Sequence, residues 1–157
     1  MVHAGEWSSE LSRRVQHYGW QYDYRARRVD ESAYLGPLPG WLEVAAARVA
    51  EGLGVGRPNQ VIVNEYLAGQ GIAPHIDCIT CFGPVVSTLS LGSEVQMDLS
   101  LGSAQVPVLL ERGSLLALTG PARYVWQHGI AKRLVDKEFG VVRSRRVSLT
   151  FRTVEPV

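Results

Sequence analysis

The sequence predicts a mainly β fold, a sandwich or barrel of the jelly-roll type carrying one N-terminal helix. Three observations predict it. Beyond residue 60 the apolar residues recur with period two in eight short runs, separated by glycine-bearing turns such as Gly92-Ser93 and Leu101-Gly102-Ser103. Before that point one stretch follows the helical period instead. The 157 residues, 46% apolar and 20% charged, suit one globular domain with an ordinary core.

The elements follow in order. The first forty residues mix aromatics with arginines, among them Trp20, Tyr22, Tyr24, Arg25, Arg27 and Arg28. Within them, residues 21–25 alternate as a strand would, and Gly36-Pro37-Leu38-Pro39-Gly40 reads as a loop. Over residues 41–53, Leu42, Ala45, Val49 and Leu53 share one stripe with Arg48 and Glu51 off it, an amphipathic helix closed by Gly52 or Gly54 and then Pro58. Strands are expected at residues 60–67, 74–77, 85–91, 94–99, 105–110, 114–119, 125–129 and 147–154. Residues 132–145 lack a clear period and are expected to form a loop. The expected organisation is a single domain, 1–157, with a lid or support region over about 1–59 and the jelly-roll core over about 60–154.

No apolar run approaches the roughly 18 residues of a membrane span, and the N-terminus has no signal-peptide pattern, so a soluble, cytoplasmic protein is expected. A monomer is the expected state. The net charge of +1 hides an asymmetry. Residues 123–152 hold eight Lys and Arg against Asp136 and Glu138, an excess of +6, while the rest of the chain is at −5. Such segregation marks either an anion-binding face or a solvated surface. The two cysteines, Cys78 and Cys81, are spaced C-x-x-C. With no second pair and with strand-like surroundings they read as structural or incidental thiols rather than as a closed zinc site or a thioredoxin-type pair.

In a strand, residues two apart share a face, so evenly spaced polar residues mark a face that is not ordinary core. Asn64 and Tyr66 share one such face, and His75 and Asp77 another with Ile76 opposed. In Arg146-Val147-Ser148-Leu149-Thr150-Phe151-Arg152 the four polar residues lie on one face and the three apolar ones on the other, with two guanidiniums about 20 Å apart bracketing the row. That row is either a polar lining suited to carboxylates or the wet face of a half-exposed strand. His75-x-Asp77 supplies an imidazole and a carboxylate, the beginning of a two-histidine, one-carboxylate site for non-haem Fe(II). Of the four histidines, His3 and His17 sit near the N-terminus, which leaves His128 as the natural third ligand.

Four motifs in order then carry a family resemblance. They are Asn64-x-Tyr66-x-x-Gly69-x-Gly71-Ile72-x-x-His75-x-Asp77, Val86-Ser87-Thr88-Leu89-Ser90-Leu91-Gly92, Gly120-x-x-Arg123-Tyr124-x-x-x-His128-Gly129-Ile130, and Arg146 with Arg152 six residues on. Together they resemble the AlkB family of Fe(II)/2-oxoglutarate dioxygenases over about residues 60–154. Arg13-Arg14-Val15-Gln16-His17-Tyr18-Gly19 and Pro37-Leu38-Pro39-Gly40 extend the likeness toward the N-terminus. Among the family's branches the chain is most similar to the AlkB-type domain of the tRNA wobble-uridine hydroxylases; the domains that flank that hydroxylase in animals have no room in 157 residues.

The resemblance implies a double-stranded β-helix with His75, Asp77 and His128 on Fe(II). It implies Arg146 on the distal carboxylate of 2-oxoglutarate, helped by Tyr66 and Ser148, with Arg152 and Asn64 near the carboxylate that chelates the metal. The implied reaction consumes O2 and 2-oxoglutarate, releases succinate and CO2, and oxidises a substrate C–H bond. On an N-methyl group this ends in demethylation with loss of formaldehyde, and on another carbon in a stable alcohol. Nucleic acid is the implied partner, either alkylated DNA or RNA or a tRNA base. Ile79 stands where base-repairing members have an Asp that contacts the flipped base, and an apolar side chain cannot accept from an exocyclic amine. Base stacking would then fall to Trp20, Tyr22 or Tyr24, which could equally pack the helix onto the barrel. Two alternatives stand beside this reading. One keeps the chemistry but takes a protein side chain or small molecule. The other is a non-catalytic metal-binding jelly-roll module, with zinc on His75, Asp77, His128 and Cys78. Strand alternation disfavours it by turning Cys78 away. With Arg146 and Arg152 turned inward, the local excess beside His128 falls to about +4.

Overall fold

The computed structural model describes residues 3–155. It opens with β1 (Arg14–Tyr18), continues through α1 (Gly40–Leu53), and then runs β2 (Gln60–Tyr66), β3 (Ile72–His75), β4 (Val86–Gly92), β5 (Val95–Leu101), β6 (Ala104–Leu110) and β7 (Leu115–Leu118). A short helix α2 (Gly120–Tyr124), β8 (Gln127–Ile130), a hairpin of β9 (Val135–Asp136) and β10 (Val141–Val142), and β11 (Arg146–Arg152) complete it. One five-stranded sheet has the order β1-β2-β11-β4-β7 and a four-stranded sheet the order β3-β8-β5-β6, with the named pairings antiparallel throughout. The chain passes back and forth between the sheets, which is the winding of a jelly roll. No helix among the described residues is long and apolar enough to cross a membrane.

Alternation in β2 and β11 decides what each sheet face does. Val61 and Val63 with Leu149 and Phe151 face outward and pack on Leu42, Ala46 and Val49 of α1. Gln60, Ile62, Asn64 and Tyr66 face the other way, in register with Arg152, Thr150, Ser148 and Arg146. The helix thus covers the apolar face of the sheet and leaves the polar face to line the space between the sheets. It ends at Gly54, whose φ of +65° lets its N–H reach the Ala50 and Glu51 carbonyls.

Three local expectations are corrected. Residues 21–25 are not a strand: the Asp23 carboxylate accepts from the N–H groups of Arg25 and Ala26, closing a turn that uses up donors a ladder would need. The N-terminal strand is β1 instead, where charged and polar residues at both faces conceal the alternation. The strand expected at 125–129 starts later, because Pro121 opens α2 and Val125 still donates to the Pro121 carbonyl. The loop expected at 132–145 holds the β9–β10 hairpin, built around the fully buried Asp136, which accepts from Arg133, Arg143 and the Gln96 N–H. Arg143 and the other donors hold that carboxyl at about 2 against the upward push of burial.

Candidate functional site

Between the sheets lies a cavity of about 370 Å³ whose wall includes all eight residues singled out in the sequence: Asn64, Tyr66, His75, Asp77, His128, Arg146, Ser148 and Arg152. They arrive from separate elements. β2 brings Asn64 and Tyr66, β11 brings Arg146, Ser148 and Arg152, and β3 and β8 bring the histidines, which are directly paired in register. Asp77 lies just past the end of β3, so its approach to His75 owes nothing to strand alternation.

At one end of the cavity, Asp77 Oδ1 lies 3.3 Å from His75 Nε2 and 3.4 Å from His128 Nε2. The ligand atoms of the three residues all fall within 4.8 Å of one another. Burial pushes the Asp77 carboxyl up, but Arg152, His128 and His75 together outweigh it and keep it well below the usual carboxylate range. Arg152 Nε sits 2.9 Å from Asp77 Oδ2, an ion pair whose alignment falls short of a hydrogen bond. His75 Nδ1 is 2.8 Å from the Ala73 carbonyl; a carbonyl only accepts, so Nδ1 carries a proton, and Nε2 is the ring nitrogen beside Asp77. Two imidazole nitrogens and a carboxylate oxygen at this spacing are a donor set for a first-row divalent metal.

The loop that carries Asp77 is clamped by a residue to which the sequence reading gave no role. Arg123, buried at the end of α2, donates to the backbone carbonyls of Asp77, Cys78, Phe82 and Gly83. The same loop is closed by a disulfide between Cys78 and Cys81. The pair, read from sequence as structural or incidental thiols, is thus a disulfide, and Cys78 is withdrawn from any zinc set. β3 ends before Cys78, so the alternation that was to turn it away does not reach it.

At the far end, Arg146 is 3% exposed and has no carboxylate partner among the described residues. Its Nη2 donates to Ser90 Oγ at 2.8 Å, and its Nε has no partner. The hydroxyl that holds Arg146 is thus that of Ser90 on β4, a residue to which the sequence gave no role; Ser148 is buried on the same cavity wall. Desolvation lowers the Arg146 pKa, the mark of a guanidinium whose compensation is missing. Tyr66 lies between two guanidiniums, 5.5 Å from Arg146 and 5.7 Å from Arg13.

A model of the 2OG-Fe(II) oxygenase superfamily matches residues 5–152. The chain belongs to this superfamily. Within it the oxygenase is AlkB-like. It is 36% identical to the Xenopus tropicalis tRNA (carboxymethyluridine(34)-5-O)-methyltransferase alkbh8, over 98% of this chain and 29% of that protein. It is 33% identical to the Arabidopsis thaliana alkylated DNA repair protein ALKBH8 homolog, over 98% of this chain and 52% of that one. The chain thus spans at most about half the length of these relatives. The solved structure of OsALKBH1, 17% identical, superposes with a TM-score of 0.74 over 97% of this chain and 86% of that one, a likeness of fold.

Members of the superfamily use Fe(II), 2-oxoglutarate and O2. The oxygenase's cavity fits those groups on its own chemistry: an N, O, N donor set at one end, and at the other a buried cation with an unpartnered N–H, suited to a carboxylate. The substrate side is mixed. Tyr22, Tyr24 and Arg27 line the cavity, whereas Trp20 packs with Cys81, Phe82 and Val154 and against Tyr34, so it is withdrawn from any stacking role. Ile79 is 54% exposed and outside the cavity wall.

Proposed function

We propose that this AlkB-like protein is an Fe(II)- and 2-oxoglutarate-dependent dioxygenase that oxidises a C–H bond of a nucleic-acid base. His75, Asp77 and His128 would hold the metal, and Arg146, Tyr66, Ser148, Asn64 and Arg152 the cosubstrate. The single observation that carries the reading is the buried Arg146 guanidinium without a carboxylate, in the same cavity as the His–Asp–His cluster. A buried cation of this kind calls for an anion, and a dicarboxylate able to reach the metal supplies one. When bound, metal and cosubstrate together would put O2, the oxidant, to work: one oxygen atom would go into succinate as 2-oxoglutarate loses CO2, and the other would convert a substrate C–H bond to an alcohol.

The chain's own groups then have defined tasks. The Ala73 carbonyl holds His75 in the tautomer that offers Nε2. Arg152 orients Asp77 through Oδ2 and leaves Oδ1 facing both imidazoles. Arg123 holds the backbone of the Asp77 loop. Tyr22 and Tyr24 put aromatic side chains in the wall beside a flat substrate, and among the described residues Asp77 is the one carboxylate that lines the cavity. Arg27 adds a donor to this wall, which suits a base presenting carbonyl oxygens. The relatives, a tRNA (carboxymethyluridine(34)-5-O)-methyltransferase and an alkylated DNA repair protein homolog, support a nucleic-acid substrate, and we favour a tRNA uridine. Nucleoside mass spectrometry of tRNA and of methylated oligonucleotides after incubation with protein, Fe(II) and 2-oxoglutarate tests this. A gain of one oxygen on a uridine is expected. Formaldehyde with an unmodified base would make the protein a demethylase, and no change in any nucleoside would overturn the nucleic-acid assignment.

A further inference from the structure

Arg13 precedes β1 and extends into the cavity, 8% exposed, where no carboxylate among the described residues pairs with it. Its Nε donates to Asn64 Oδ1 at 3.0 Å, and its guanidinium lies over the Tyr66 ring. An arginine can only donate, so the Asn64 carbonyl oxygen must face Arg13 and the Asn64 amide N–H₂ must turn the other way. Asn64 is itself 6% exposed and lines the cavity, and among the described residues its N–H₂ has no hydrogen-bond partner, which leaves it free for a group bound there. A charge count points the same way. Arg152 is matched by Asp77, which leaves Arg13 and Arg146 as the two cations on this wall of β1, β2 and β11 without an acid. Two unmatched cations suit one dianion.

We infer that Arg13 is a third cosubstrate arginine, a positioning residue that holds Asn64 with its amide donor toward a carboxylate of 2-oxoglutarate. The inference rests on the cosubstrate reading proposed above. Without Arg13 the Asn64 amide is free to flip and present its oxygen to the anion. Replacing Asn64 by Asp would do the same permanently while giving Arg13 a carboxylate.

The test is calorimetric titration of 2-oxoglutarate into Mn(II)-loaded protein without a nucleic acid. Wild type, Arg13→Met, Asn64→Ala, the double variant and Asn64→Asp are compared, with Mn(II) affinity and unfolding temperature measured alongside. Arg13→Met and Asn64→Ala are each expected to weaken 2-oxoglutarate by about tenfold, and the double variant no more than the weaker single, since both remove one interaction. Mn(II) affinity is expected to stay at the wild-type value. Asn64→Asp is expected to lose 2-oxoglutarate affinity by more than Asn64→Ala without a lower unfolding temperature, which keeps the test alive if Arg13→Met does not fold. Wild-type affinity in Arg13→Met, or in Asn64→Asp, overturns the inference; so does full additivity. Unchanged 2-oxoglutarate affinity in Arg13→Met with weakened tRNA binding would assign Arg13 to the substrate instead. Failure of the wild type itself to bind 2-oxoglutarate would strike the cosubstrate reading, a distinct result.

Discussion

Arg146 and His17 are both buried without full partners, and they call for opposite tests. Arg146 bears a charge that the protein alone does not neutralise, so Arg146→Met removes a desolvation cost. The variant is expected to melt no lower than wild type when free of ligand and to lose the stabilisation that 2-oxoglutarate gives the Mn(II)-loaded protein; differential scanning calorimetry reads both. His17 lies on β1 with neither ring nitrogen bonded, and burial, with a smaller push from Arg152, lowers its pKa from 6.5 to about 4. The unfolded chain therefore takes up a proton that the folded one refuses. Stability is full above about pH 6.5 and falls as the pH drops toward 4, by about 3 kcal/mol from this residue. Urea unfolding across that range should show the loss in wild type and a flatter profile in His17→Phe.

At the scale of elements, the site depends on how closely β3 and β8 approach. A Cβ on Gly71 would run into the Ile130 carbonyl, and one on Gly129 would stand 2.9 Å from the Pro74 nitrogen. Gly71→Ala should force apart the ends of the two strands that carry His75 and His128. Loss of Mn(II) binding by electron paramagnetic resonance is expected, with a stability cost of roughly 2 kcal/mol. Period-two alternation made much of this legible. β2 and β11 declare their polar faces because each is half core and half cavity, and those faces bring together Asn64, Tyr66, Arg146, Ser148 and Arg152. Alternation fails where side-chain chemistry overrides it, as with the Asp23 turn, Pro121 in α2 and Asp136 in the hairpin. It is equally silent on Ser90 and Arg123, whose roles come from contacts across 56 residues and about 40 to 46 residues of chain.

The whole molecule alters the meaning of its charge. Of the eight cations in residues 123–152, Arg123 serves carbonyls, Arg133 and Arg143 serve Asp136, Arg145 serves Glu65, and Arg146 and Arg152 line the cavity. Among the described residues that leaves Lys132 and Lys137 as the two of these cations whose side chains have no protein partner. The cations placed to meet a polyanion near the cavity are instead on the turn at 23–28, where Arg25 and Arg27 are exposed and Arg27 reaches the cavity wall. Filter binding to tRNA is expected to weaken by about tenfold in Arg25→Glu with Arg27→Glu, and to change far less in Lys132→Glu with Lys137→Glu. The central claim is that this cavity is an Fe(II) and 2-oxoglutarate centre, and succinate formation tests it most directly. Wild-type protein given Fe(II), 2-oxoglutarate, O2 and tRNA should release succinate, and Asp77→Ala should release none beyond the protein-free background. Succinate at the wild-type rate from Asp77→Ala, or none from wild type, would contradict the account.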